Sequence, residues 1–295
     1  MKDHKKTALL ATAGFATIYG FSFMASRIAL QHTSASVLLV IRFFAATLVM
    51  LILIAFGVFK VSLRGKPVAK FLVMGICQPV IYFITETFGI QYTNSSFAGV
   101  MISIIPITTA ILSAAFLQER ISLGTAGWIA CSIVGVVIIS TTQTNSGVVQ
   151  FKGIIFLLLA VIAASVFYIL SKSSSDVFTP FERTFIMMVL GLICFTVQAF
   201  IIEGRDLIPR VTASLTDKGV MLPVLYLAVL SSVIAFLLQN YAVTYLELSR
   251  ITVFENIIPV ISVVAGVVFL GEPFSAVQLA GIVLILLGVW KVSVS

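Results

Sequence analysis

Apolar residues run along this chain in long blocks, near 7–31, 34–57, 67–91, 94–118, 122–141, 152–172, 180–202, 219–244, 248–270 and 275–293. Each block matches the roughly 20 residues that carry a helix across a hydrocarbon core of about 30 Å. The longest joins, around 58–66, 142–151, 173–179 and 203–218, collect Gly, Ser, Asn and charged residues, and the other joins are tight. The pattern predicts helices packed as antiparallel hairpins. The fold class is therefore an all-α integral membrane protein with ten transmembrane helices.

Composition sharpens this reading. Of 295 residues 60% are hydrophobic and only 10% charged, with a mean hydropathy of +1.17, which excludes a soluble globular chain. The first block follows Lys2, Lys5 and Lys6 like a signal peptide, but it continues past Arg27 without a small-residue cleavage site and reads as a span. The net charge of +7 is scattered over short loops, with no basic run and no aromatic-basic platform, so it gives no sign of nucleic acid. With the N-terminus in the cytoplasm, twelve Lys and Arg fall on the inner side, Arg183, Arg250 and Lys172 among them, and five on the outer side: Arg27, Lys152, Arg205, Arg210 and Lys218. Arg42 lies within a span. That asymmetry places both termini in the cytoplasm and the chain in a plasma (inner) membrane. Cys77, Cys131 and Cys194 sit singly inside blocks, and histidine occurs only at His4 and His32. The pattern offers no metal site and no cofactor site.

Sliding the chain by 153 residues pairs Tyr92 with Tyr245, Ile105-Pro106 with Ile258-Pro259, Leu117 with Leu270, Glu119 with Glu272 and Gly135 with Gly288. Five blocks is an odd number, so a second copy enters the membrane from the opposite side. The halves are then 1–145 and 146–295, two inverted five-helix repeats around an axis in the membrane plane. Secondary transporters use this arrangement, and channels are also built from repeats.

The segments IIPITTAILSAAFLQERIS at 104–122 and IIPVISVVAGVVFLGEPFSAVQLAGIVLILLGV at 257–289 share a mid-helix Pro, a terminal Leu-x-Glu and a Gly-punctuated span afterwards. In these motifs, and over nearly its whole length, the chain resembles the EamA-type branch of the drug/metabolite transporter superfamily. The resemblance implies movement of amino acids, metabolites, nucleosides or drugs without ATP, commonly outward. The sequence holds no GxxxxGK[ST] phosphate loop.

Tyr19-Gly20, Pro79, Pro106, Ser231-Ser232 and Pro259 fall at the centres of their blocks and mark the bilayer midplane. Proline removes one N–H and frees a carbonyl four residues earlier, which is tolerated where backbone is buried in protein or lines a wet cavity. Gly20, Pro79, Pro106, Pro259 and Arg42 are hinge or gate candidates; the prolines equally serve helix packing alone. Gln78, Tyr82 and Glu86 recur every four residues, a polar stripe that must face inward. Ser232, Phe236 and Asn240 form one row in the eighth span and Ser231, Ala235 and Gln239 its neighbour. The 153-residue offset sets Gln239 opposite Glu86. With Tyr19, Ser103, Tyr168, Thr252, Glu255 and Asn256, these residues make a candidate substrate pocket.

Each buried charge costs roughly 2.5–3.5 kcal/mol at mid-span. Glu86 has two open readings: an ion pair with Arg42 or Arg27, or a proton carrier and counter-charge for an amino group. Glu255 is open to a salt bridge with Arg250 or Lys172, and as a departure from the family pattern it favours a cationic or zwitterionic substrate. Glu119 and Glu272 read as interface caps. Ala110, Ala114, Ala126, Gly127, Ala130, Gly135, Ala280, Gly281 and Gly288 read as close helix contacts. The sequence thus predicts no enzyme but a secondary active transporter of an amino acid or related amine-bearing compound. It would be a monomer or homodimer in the lipid bilayer, with a proton as candidate coupling ion. A passive channel or an exporter of drugs or nucleosides remains the alternative.

Overall fold

The computed structural model describes residues 2–117, 123–145, 149–174, 177–246, 251 and 255–294; these contain helices and no strand. Among them eight helices are long and apolar enough to cross a membrane, and two apolar helices are shorter, Ile257–Leu270 and Ala276–Lys291. Glu119, Arg250 and Thr252, and the side chains of Ala114 and Lys172, lie outside the described residues.

The chain begins with α1 (Lys2–Leu30) and α2 (Ala35–Ala55). Ser34 caps α2 by accepting from the Val37 N–H. The third span is composite: α3 (Val68–Gly75), wide π-type turns over Ile76–Ile81, then α4 (Tyr82–Gln91). Pro79 brings no N–H to the ladder, and Gln78 ahead of it is extended at φ −142°, ψ 116°. The predicted fourth span is likewise two pieces, α5 (Ser95–Ile102) and α6 (Ile105–Leu117). Ahead of Pro106, the Ser103 and Ile104 N–H groups tighten onto the Val100 and Met101 carbonyls, both at 3.2 Å.

Next come α7 (Leu123–Asn145), α8 (Phe151–Ser174) and α9 (Pro180–Glu203). Thr179 and Glu182 close a capping box on α9, and Glu182 also takes a salt bridge from Lys66. The connection read from sequence as a loop over 203–218 contains α10 (Leu207–Thr216) instead. Its Leu207, Val211 and Ser214 recur at helical spacing and bury one stripe, which the window of apolar blocks does not register. The eighth span is α11 (Lys218–Leu225), wide turns over Tyr226–Ala235 and α12 (Phe236–Tyr245). Two helices follow, α13 (Ile257–Leu270), ended by left-handed Gly271, and α14 (Ala276–Val294).

Glycines set the closest helix contacts. A Cβ at Gly20 on α1 would lie 2.6 Å from the Ile261 side chain of α13, and one at Gly99 on α5 would lie 2.3 Å from Ser262. Where α13 ends, Glu272 accepts from both the N–H and Oγ groups of Ser95 and Ser96, at 2.5–2.9 Å, and so ties α13 to the first turn of α5. This is the interface cap expected of Glu272.

Helices α7 and α14 pack antiparallel. The Ser132 hydroxyl donates to the Ile285 carbonyl at 3.2 Å, Gly135 faces the Gly281 carbonyl, and Gly288 faces the Trp128 carbonyl. Without a hydrophobic drive between helices in lipid, such backbone approach supplies the attraction. The wider small-residue expectation needs correction: Ala126, Gly127, Ala130 and Ala280 lie on exposed faces, and Gly127 meets nothing within 4 Å. A Cβ at Gly288 would lie 1.9 Å from Ser132 Oγ. Gly288→Val is therefore expected to lower unfolding stability by about 1–3 kcal/mol, whereas Gly127→Ala leaves it unchanged or slightly raised; denaturant titration in mild detergent compares the two.

Candidate functional site

A cavity with about 40 Å³ of room for the centres of water-sized molecules lies within the bundle. Helix α1 contributes Tyr19, Ser22 and Phe23, α2 contributes Arg42, and the broken third span contributes Gln78, Tyr82, Phe83 and Glu86. The break between α5 and α6 adds Ile102, Ser103, Ile105 and Pro106; α8 adds Ala164 and Tyr168. Ser231, Phe236 and Gln239 come from the eighth span, with Glu255 and Ile258 from the start of α13. Tyr82 and Glu86 share one face of α4 through their four-residue spacing, and the extended Gln78 joins them at the void from the break ahead of that helix. Gln239 follows Ser231 by two steps of four residues and lies one such step past the end of the wide turns.

One wall is a continuous hydrogen-bonded chain. The Tyr19 hydroxyl donates to Gln239 Oε1 at 3.0 Å, Gln239 Nε2 donates to the Tyr168 hydroxyl at 2.5 Å, and that hydroxyl donates to Glu255 Oε1. Side chains of α1, α8, α12 and the α13 entrance are thereby joined through one network, with Glu255 as its terminal acceptor. Tyr19 packs edge-on against Phe236 at 5.8 Å between centroids, and Phe236 lies 5.9 Å from Phe83.

The opposite wall carries unlike charges. Arg42 is 2% exposed; its Nε donates to Ser232 Oγ at 2.8 Å and one terminal nitrogen to Ser231 Oγ at 3.0 Å. Its guanidinium carbon sits 4.4 Å above the Phe83 ring. Glu86 is 3% exposed, and its Oε2 has no hydrogen-bond partner; nor has Gln78 Oε1. The ion pairs expected for Glu86 are not formed. Arg42 is held by the two serines, which the wide turns present side by side, and Arg27 donates to the Ile90 and Gln91 carbonyls at the end of α4. Three salt bridges occur among the described residues, and none involves Glu86 or Glu255.

Of the residues singled out as a pocket, Tyr19, Gln78, Tyr82, Glu86, Ser103, Tyr168, Phe236, Gln239 and Glu255 share this cavity, joined by Arg42 and Pro106. Ser232 stands behind Arg42 as its partner. Asn256 is half-buried beside the cavity with Oδ1 unpartnered; of the hinge candidates that do not line it, Pro79 lies in the break of the third span, whereas Gly20 lies within unbroken α1 against Ile261 and Pro259 in the first turn of α13, where neither breaks a helix. Sequence pattern does not distinguish Ser22, Phe23 and Phe83, because hydroxyl and phenyl groups are common in lipid-facing helices. Ser231, expected in the pocket in one row with Gln239, lines it, whereas Asn240 of the neighbouring row turns away to Thr184 Oγ1 and Met187 Sδ. Arg183, grouped by sequence with the inner loop charges, is wholly buried on the first turn of α9; it donates to the Asn240 carbonyl at 2.6 Å and to Thr244 Oγ1. No group of three or more His, Cys, Asp or Glu gathers among the described residues.

The EamA-like transporter family model matches the chain twice, over residues 6–141 and 151–294. The chain belongs to the EamA-like transporter family. An uncharacterized transporter of Bacillus subtilis, YcxC, is 30% identical over 98% of this chain and 94% of its own length. An uncharacterized transporter of Archaeoglobus fulgidus is 30% identical over 98% of each chain. A probable amino-acid metabolite efflux pump of Salmonella typhimurium is 24% identical over 92% of this chain and 90% of its own. One crystal structure aligns with a TM-score of 0.66 over 97% of this chain and 96% of the other, at 16% identity, a likeness of fold. This EamA-like chain is a multi-pass membrane transporter and not an enzyme.

Removing the phenolic bridge tests the first wall. Tyr168→Phe strands Gln239 Nε2 and one Glu255 oxygen and is expected to cost about 1–3 kcal/mol of stability. Glu255→Gln retains a hydrogen-bond acceptor for the phenol and costs less. Thermal unfolding of the two purified variants compares them directly.

Proposed function

We propose that this EamA-like protein is a secondary active transporter that carries an amino acid or related amine-bearing metabolite across the inner membrane by alternating access. The cavity carries this reading, because polar and ionisable side chains from both 1–145 and 146–295 converge on one void amid apolar helices. Charges at such depth are costly unless they face a wet or ligand-filled interior. A cavity with few oriented polar groups and aromatic walls is the usual form of a small-molecule site.

Two inverted repeats would give the motion its geometry, and the contact of α7 with α14 supports them. Ser132 touches its 153-residue equivalent, Ile285, and the approach of Gly135 to Gly281 is matched by that of Trp128 to Gly288, the same pair displaced by 153. Equivalent helices meeting in opposite directions are what a twofold axis in the membrane plane produces. The double family match over 6–141 and 151–294 supports the same division. The excess of Lys and Arg in one set of loops favours cytoplasmic termini.

Glu86, Glu255 and the tyrosine walls favour an amine-bearing cargo, and the Salmonella relative's name points the same way. A proton is the candidate coupling ion. Proteoliposomes loaded with unlabelled amino acids should show saturable uptake of labelled substrate and counterflow, with Glu86→Gln lowering the initial rate about tenfold or more, the equivalent of one lost charged contact. Flux proportional to concentration without counterflow would mark a channel, and an unchanged Glu86→Gln rate would remove that carboxylate from the path.

A further inference from the structure

The cavity joins one cation and one nearby acid that do not pair with each other. Arg42 is the one cation among the described residues lining it, and its Nε and one terminal nitrogen are already engaged by Ser232 and Ser231. The serine pair fixes the guanidinium, and the Phe83 ring beneath it holds the plane. Its other N–H bonds remain available to the void. Facing the same void, Glu86 Oε2 and Gln78 Oε1 are buried acceptors with no donor. A buried unpaired acceptor costs about 1–3 kcal/mol, a cost that a donor entering the void offsets.

Glu255 differs, since the Tyr168 hydroxyl already donates to it and Gln239 donates in turn to Tyr168. The acids of the cavity are thus unlike: Glu255 Oε1 is bound within the fold, whereas Glu86 Oε2 has no donor.

We propose that Arg42 and Glu86 are the two poles of a zwitterion site, the guanidinium receiving a carboxylate and the Glu86–Gln78 pair receiving an ammonium group. The cargo is then a free α-amino acid or a close derivative that keeps both charged groups. A simple amine leaves Arg42 without its counter-ion. An N-acylated amino acid brings a carboxylate but no cation to Glu86, and both are discriminated against. The opposite charges of one ligand replace the ion pair that the fold holds apart. This inference rests on the transport reading for its biological sense, but its chemistry is one of binding.

The test is equilibrium binding to the purified full chain in detergent, with the twenty standard L-amino acids screened singly by thermal shift. The best binder is then compared with its decarboxylated amine and its N-acetyl derivative. At least one amino acid should bind saturably, and both analogues should bind about tenfold or more weakly, the scale of one charge-assisted contact. Glu86→Gln should weaken the amino acid and narrow its advantage over the N-acetyl form; Arg42→Gln should narrow its advantage over the amine. Because the analogues alter the ligand alone, the comparison survives even if Arg42→Gln fails to fold. Equal binding of either analogue, or no binding of any amino acid, overturns the zwitterion site. Selective binding without counterflow in proteoliposomes would instead leave the site standing and overturn the transport reading.

Discussion

The constraint behind this structure is that lipid offers no hydrogen bonds. Every N–H, carbonyl and polar side chain at depth has to find a partner inside the protein or face a space that holds water or ligand. Apolar helices satisfy their own backbone, which leaves the polar side chains to decide how the helices turn. Gln78 and Glu86 of the third span, Gln239 of α12 and Glu255 ahead of α13 are each at most 8% exposed, and all share one cavity. The cavity is the consequence of gathering what lipid rejects.

The same constraint explains where the backbone departs from regular helix. The extended residue at Gln78, the tightened turn at Ser103 and the wide turns around Ser231 all lie at the cavity wall. Freed backbone groups are tolerable there and nowhere on the lipid face. By contrast α7 and α14, away from the cavity, are unbroken and lock through glycines and a single serine hydroxyl. A close-packed seam thus lies beside a polar, irregular centre. The Glu272 clamp on Ser95 and Ser96 holds one end of that centre together.

Much of this was legible in the sequence. Block length carries the membrane class, and four-residue spacing accounts for Tyr82 and Glu86 at the void, which Gln78 reaches through the break instead. Mid-block prolines marked the breaks at Pro79 and Pro106. What spacing does not encode is which polar groups meet. Charge sign alone pairs Glu86 with Arg42, but the wide turns of the eighth span offer Arg42 two hydroxyls at closer quarters. Arg183 looked like a loop charge because it opens a helix, and only packing against α12 shows it buried. The stripe of α10 was hidden in a segment too polar to count as an apolar block.

In the proposed alternating access, one cavity serves both sides of the membrane in turn. Cys77, Cys131 and Cys194 can be replaced and a single cysteine placed at Ser103, which lines the void and donates only to the nearby Val100 carbonyl. Sealed vesicles are then treated with a membrane-impermeant thiol reagent from each side separately. The account predicts modification from either side while the reagent itself stays out of the opposite compartment. Modification from one side alone, or free passage of the reagent, would contradict it.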